Sequence, residues 1–228
     1  MKNILRLTLV VFAISLAFTA CKKATGEKAV TGKAQEAKSV NADAAVYKIN
    51  TAASKIHWAG SKPGGGHLGT INISEGAVKL NGSQLVGGEL GIDMTSITVT
   101  DLKPGEGKED LEAHLKGMAA GKEDHFFNVA KYPHAKFQIT SVTPSTTGGD
   151  TNMTITGNLS IKDQTRSVTF KAMGGLVGDT FKAAAPDFKI NRTEWGINHM
   201  SKTIFDNLKD KFIDDEISLT IELEATKA

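Results

Sequence analysis

Residues 153–162 read Met-Thr-Ile-Thr-Gly-Asn-Leu-Ser-Ile-Lys. Met153, Ile155, Gly157, Leu159 and Ile161 fall on one face of an extended chain, and Thr154, Thr156, Asn158, Ser160 and Lys162 on the other. A strict period of two predicts a strand with one buried and one solvated face. The same rhythm returns near the C-terminus, where Ile217, Leu219, Ile221, Leu223 and Ala225 alternate with Ser218, Thr220, Glu222 and Glu224. Working outward, Val86, Leu90, Ile92 and Met94 share a face, as do Ala135, Phe137 and Ile139. Shorter strands are expected at Ile56–Ser61, Gly69–Ser74, Ala77–Leu80, Val168–Ala172 and Thr180–Ile190.

Turn residues separate these runs: Ser74-Glu75-Gly76, Asn81-Gly82, Thr147-Gly148-Gly149-Asp150 and Asp163-Gln164. Many short strands joined by tight turns predict antiparallel hairpins closing into a barrel or sandwich. Gly87, Gly88, Gly91 and Gly157 thin the strand faces, which suits the tight bending of a barrel wall. Only two stretches read as helical, Lys108–Lys116 with Leu111 and Leu115 four apart, and a short one at Asp206–Lys211. The expectation from these runs is an all-β, antiparallel barrel or sandwich with one or two short helices. Every aromatic residue beyond the first twenty lies between Tyr47 and Phe212, so one core is expected over residues 46–228.

The chain has 228 residues, with 27 Lys and Arg against 25 Asp and Glu. Lys2 and Arg6 lie in the first few residues, and without them the balance is 25 against 25. A chain with no net charge has no electrostatic case for nucleic-acid binding. One cysteine excludes an internal disulfide framework and any multi-cysteine metal centre.

Residues 1–20 read MKNILRLTLVVFAISLAFTA: a short basic start, then an apolar run too short to span a membrane comfortably. The lone Cys21 follows directly. This pattern resembles a bacterial lipoprotein signal, with Cys21 as the lipidated first residue of the mature chain, although Phe18 stands where an aliphatic residue is usual. The resemblance implies a lipid-anchored envelope protein, with the periplasmic face of the outer membrane favoured. Residues 22–45 are rich in Ala, Lys, Gly and Glu and hold no aromatic before the domain begins. They are expected to form a flexible tether, because they offer little apolar area to offset ordering entropy.

Motifs for catalysis are weak. Gly64-Gly65-Gly66-His67-Leu68-Gly69 fits G-x-G-x-x-G, but a strand-like run follows it where the dinucleotide fold needs a helix. His57, His67, His114, His125, His134 and His199 show no metal-binding spacing, so no metal site is assigned. No nucleophile elbow is present, and the adjacent acids Glu109-Asp110, Glu123-Asp124 and Asp214-Asp215 read as solvated pairs. No catalytic residue and no cofactor is assigned, and the chain is not expected to be an enzyme.

A set of motifs in order along the chain resembles the YceI-like family. They are Ala113-His114-Leu115-Lys116, then Asp124-His125-Phe126-Phe127-Asn128-Val129-Ala130-Lys131-Tyr132-Pro133, Ala135-Lys136-Phe137, the strand pair from Gly157 to Phe170, and Ile190-Asn191-Arg192-Thr193-Glu194-Trp195-Gly196-Ile197. Phe205-Asp206-Asn207-Leu208 with Asp214-Asp215-Glu216-Ile217 resembles a variant found in Bacteroidetes-type members. The chain departs from the family at Lys55-Ile56-His57-Trp58, where a His-Ser is frequent, and at Arg166-Ser167, where Lys-Pro is usual.

The resemblance implies an all-β, lipocalin-like antiparallel barrel of about eight strands that holds an isoprenoid lipid, a polyprenyl phosphate or an isoprenoid quinone, for storage or carriage. A homodimer stays open. On that basis Phe126, Phe127, Phe137, Phe170 and Trp195 are the candidate apolar walls. Arg192 is the candidate head-group cation, with a structural ion pair as its alternative role. The competing reading is a solidly packed barrel that serves as an envelope stress or interaction protein with no small ligand.

Overall fold

The computed structural model describes residues 26–40, 43–145 and 150–228. The expected signal segment and Cys21 lie outside the described residues. Eleven strands form one sheet. They are β1 (Glu27–Lys28), β2 (Val30–Lys33), β3 (Ala45–Ile49), β4 (Lys55–Lys62), β5 (Gly65–Asn81), β6 (Gln84–Val99), β7 (His134–Pro144), β8 (Met153–Ile161), β9 (Gln164–Val177), β10 (Thr180–Asn191) and β11 (Glu216–Lys227). The helix α1 (Lys108–Lys116) lies between β6 and β7.

Strands β4 to β11 are each antiparallel to the next, and β11 pairs back onto β4 between Glu222↔Lys55 and Ser218↔Ala59. The result is a closed eight-stranded barrel, the one of the two antiparallel forms open to the alternation that the family resemblance implied. Strand β3 continues the line of β4, because both pair with β5 and with β11. Along β8 the side chains alternate between buried and half-buried over its whole length, so the apolar set of residues 153–161 faces the core.

Two local expectations change. Ser74-Glu75-Gly76 is not a turn; it lies inside the 17-residue β5, at a register shift between Ile73 and Glu75. An extra residue in one strand bends a barrel wall without ending the strand. The helix expected at Asp206–Lys211 shrinks to one 3-10 turn at Lys209–Lys211. Helix α1 forms where expected, and its C-cap Gly117 adopts the left-handed conformation with φ 72°.

The largest correction concerns the tether. Residues 26–40 form a belt on the barrel. Strands β9 and β10 pair only near their shared turn, from Val177↔Thr180 to Met173↔Ala184. Beyond that they separate, and the β10–β11 register shifts between Ala185 and Phe188, around Pro186. The gap leaves backbone donors and acceptors open on both strands, and such groups need partners. Strand β1 pairs in parallel with Phe188 and Lys189 of β10, and β2 pairs antiparallel with Arg166–Thr169 of β9.

Ala29 is buried between them and its amide donates to Lys189 O at 2.8 Å. Gly26 packs on the Asp187 carbonyl where any Cβ would collide. The belt then crosses the outer face. The Asn158 side chain donates to Gln35 O at 2.7 Å and accepts from Gln35 N at 2.9 Å. Lys38 N donates to Thr140 O at 3.2 Å. The order here comes from backbone pairing, which an argument from apolar area overlooks.

The connections after β4, β6, β8 and β10 all lie at one end of the barrel. Two of them are long, residues 100–133 and 192–215. These two loops and α1 build that end. No helix among the described residues is long and apolar enough to cross a membrane.

Candidate functional site

A cavity of about 400 Å³ opens at this end of the barrel. Its walls are inward residues of the strands, among them Ile56, Ile71, Ile92, Leu159, Ile190 and Leu219. Helix α1 contributes Leu111 and Leu115, the four-apart pair of its apolar face. Phe126 and Phe127 follow from the loop after α1, and both border the cavity. On a regular strand adjacent residues would face opposite ways. Here the chain is a turn-rich loop, with Phe127 N donating to Leu115 O at 3.2 Å, and both rings reach the wall.

The other three expected walls do not border this cavity. Phe137, Phe170 and Phe188 form an aromatic stack, with ring centroids 5.7 Å apart for the first pair and 4.5 Å for the second. The Phe137 ring lies over Gly157, where a Cβ would run into it. Trp195 is fully buried and its Nε1 donates to Leu159 O at 2.9 Å. These rings pack the barrel solid next to the cavity.

Arg192 borders the cavity but its guanidinium is committed. Nη1 donates to Ile197 O at 2.7 Å, Nη2 to Ile213 O at 3.0 Å and Nε to Asp214 O at 3.1 Å. Nη2 also reaches the buried Asp215 carboxylate at 3.4 Å. Arg192 therefore clamps the 192–215 loop to itself, the structural role that competed with head-group contact.

Polar groups that reach the cavity come from elsewhere. The Trp58 indole lies in the wall, close over Gly69, and its Nε1 is buried with no hydrogen-bond partner among the described residues. A buried donor without a partner costs roughly 1–3 kcal/mol, so it marks a place for an acceptor. The alternation Ile56, Trp58, Gly60 on β4 was the sequence signal for this position. Ser61 Oγ donates to Asp214 Oδ2 at 2.7 Å, and Lys62 and Lys211 stand exposed at the rim.

Three histidines meet beside the cavity. His114 comes from α1, His125 from the following loop and His199 from the loop after β10. Each offers a ring nitrogen, and these atoms lie within 4.8 Å of one another. His114 Nε2 and His125 Nδ1 share a hydrogen bond of 2.8 Å. The His125 and His199 rings stack at 3.8 Å with a 14° interplanar angle. Burial, then the neighbouring His125, His114, Arg192 and Lys122, push the His199 pKa down to about 4. Burial, followed by His125 and Lys122, also lowers that of His114. No sequence spacing pointed to this cluster, because its members come from three different segments.

The family model described as YceI-like domain matches residues 47–225. Among solved structures, BcnA of Burkholderia cenocepacia is similar, with 21% identity, TM-score 0.52, and 78% of this chain and 99% of that chain covered. A polyisoprenoid binding domain from Saccharophagus degradans, implicated in plant cell wall breakdown, shares 12% identity and a TM-score of 0.55, covering 80% of this chain and 98% of that chain. At these identities the likeness speaks for the fold. No curated protein matches the chain.

Proposed function

The chain belongs to the YceI-like domain family, and on that premise we propose that its barrel binds, stores or carries an isoprenoid lipid without chemical conversion. The observation that carries this reading is the cavity. It is walled mainly by aliphatic side chains, and its volume of about 400 Å³ lies within the roughly 300–1,000 Å³ of small-molecule sites. Burying prenyl surface there gains about 25 cal/mol per Å². The Trp58 N–H and the rim residues Lys62 and Lys211 supply donors for a phosphate or quinone head. The description of the Saccharophagus neighbour as polyisoprenoid binding supports the choice of ligand class. The packed-barrel reading is disfavoured, because a core at native density leaves few voids larger than a water molecule.

Function at the bacterial envelope, with lipidation at Cys21 as the anchor and the outer membrane's periplasmic face as the site, belongs to the same proposal. The family resemblance and the leader-like residues 1–20 support it.

Organic extraction of the purified protein, followed by mass spectrometry, tests the ligand. A co-purifying prenyl compound is expected in the wild type. Ala135 borders the cavity and is buried, so Ala135→Phe fills the void and should reduce the recovered ligand while the barrel still folds. A folded wild-type protein that is always empty and takes up no prenyl chain would overturn the reading.

A further inference from the structure

We propose that His114, His125 and His199 form a binding site for a late first-row divalent cation of the zinc class at the edge of the cavity. The inference goes beyond the lipid reading and does not depend on it. Three imidazoles with a ring nitrogen each, all within 4.8 Å of one another, are close to the set that such ions require. Tetrahedral zinc takes nitrogen ligands at about 2.0–2.1 Å, and sites with three protein ligands leave one position open. To reach that distance from a common ion the rings would have to rotate from the arrangement seen here.

The surroundings favour the ion-binding form. In the metal-free protein the 2.8 Å bond between His114 Nε2 and His125 Nδ1 requires one ring to donate and the other to accept. An ion at these nitrogens replaces that shared proton, which moves to the other nitrogen of its own ring. No net proton loss is needed. Phe126 packs edge-on against both His114 and His199, at 5.1 and 5.4 Å between centroids, and holds the rings in place.

Two cations, Arg192 and Lys122, also face His199. Arg192 is itself paired with the buried Asp215 at 3.4 Å. All three histidines are half-buried, so an ion can reach them. The histidines stand on α1 and on the two long loops, so an ion would tie together the segments that build this end of the barrel. Of the three histidines His114 borders the apolar cavity, and an anionic or carbonyl oxygen held there would suit the ion's fourth position.

Titration of the purified full chain with zinc chloride, in competition with a chromophoric chelator at pH 7.5, tests the site. One ion per chain is expected. The double variant His125→Asn/His199→Asn should lose more than the roughly 10–100-fold that removing an outer-shell partner costs, while His57→Asn/His134→Asn keeps the wild-type affinity. Circular dichroism in chelator establishes that the variants fold. If the double variant does not fold, the ring resonances of the wild type decide. Those of His114, His125 and His199 should shift together at one equivalent of zinc. Equal affinity in the wild type and the double variant, or shifts confined to His57, His67 and His134, would overturn the proposal.

Discussion

Phe126 and Phe137 are equally buried, at 7% and 8% exposure, yet they answer to different neighbours. Phe126 faces open volume, whereas Phe137 faces Phe170 and the bare backbone of Gly157. Truncating a ring inside a packed stack removes its transfer energy and leaves a hole. Phe137→Ala should therefore cost about 3–5 kcal/mol in a urea titration and leave the profile of extracted lipids unchanged. A changed lipid profile with little loss of stability would show that Phe137 is a wall after all. This pair also marks how far the sequence could be read. Alternation assigns a residue to the inner face, and it did so correctly for Phe137 and Leu159. It does not say how full the barrel is at that height, because filling depends on rings from three strands, β7, β9 and β10, meeting across the axis. Arg192 shows the same limit. A guanidinium at a strand end can be read as a head-group cation or as a structural ion pair, until the carbonyls of Ile197, Ile213 and Asp214 appear around it.

Strands β1 and β2 show what an element can contribute with almost no side-chain area. Ala29, which lies between them, is the one buried residue of the segment 26–33, and its value lies in closing the seam between β9 and β10. A carboxylate there would be desolvated without a partner, which proteins tolerate poorly. Ala29→Asp should lift the belt and speed hydrogen exchange at the amides of Arg166–Thr169 and Phe188–Lys189. The β7–β8 ladder should keep its protection. Unchanged exchange at the seam, with residues 26–40 released to protease, would mean that the belt does not close it. The sequence held one clue to this gap, since a proline inside a strand pattern, Pro186, signals an edge or a bulge. It held no clue to what fills the gap, because the filling residues Glu27–Lys33 have an ordinary linker composition. The histidine cluster was hidden for a related reason. Helix α1 was legible from Leu111 and Leu115, but the loops 117–133 and 192–215 carry no periodicity, and only barrel closure sets them side by side.

The whole molecule is polarised: the cavity, both long loops and the histidines sit at one end, and the belt begins midway along the seam beside them. That arrangement changes what an anchor at Cys21 would do. A free tether up to residue 46 would let the barrel roam roughly 80 Å from its lipid at full extension. With the belt docked, only the steps from Cys21 to Gly26 remain, a reach of about 17 Å. An acylated chain would then be held near the membrane with the β9–β10 seam turned toward it. Short reach favours direct exchange of a prenyl chain between bilayer and cavity, because the ligand crosses little water. Two variants separate anchoring from docking. Cys21→Ser should move the protein from the membrane pellet to the soluble fraction, and a mutant that still pellets after a high-salt wash would exclude lipidation as the anchor. Ala29→Asp should pellet like the wild type but expose residues 26–40 to protease. If it stays as resistant as the wild type, the belt is held by more than Ala29 and the seam, and the short leash must be explained by its contacts on β7 and β8.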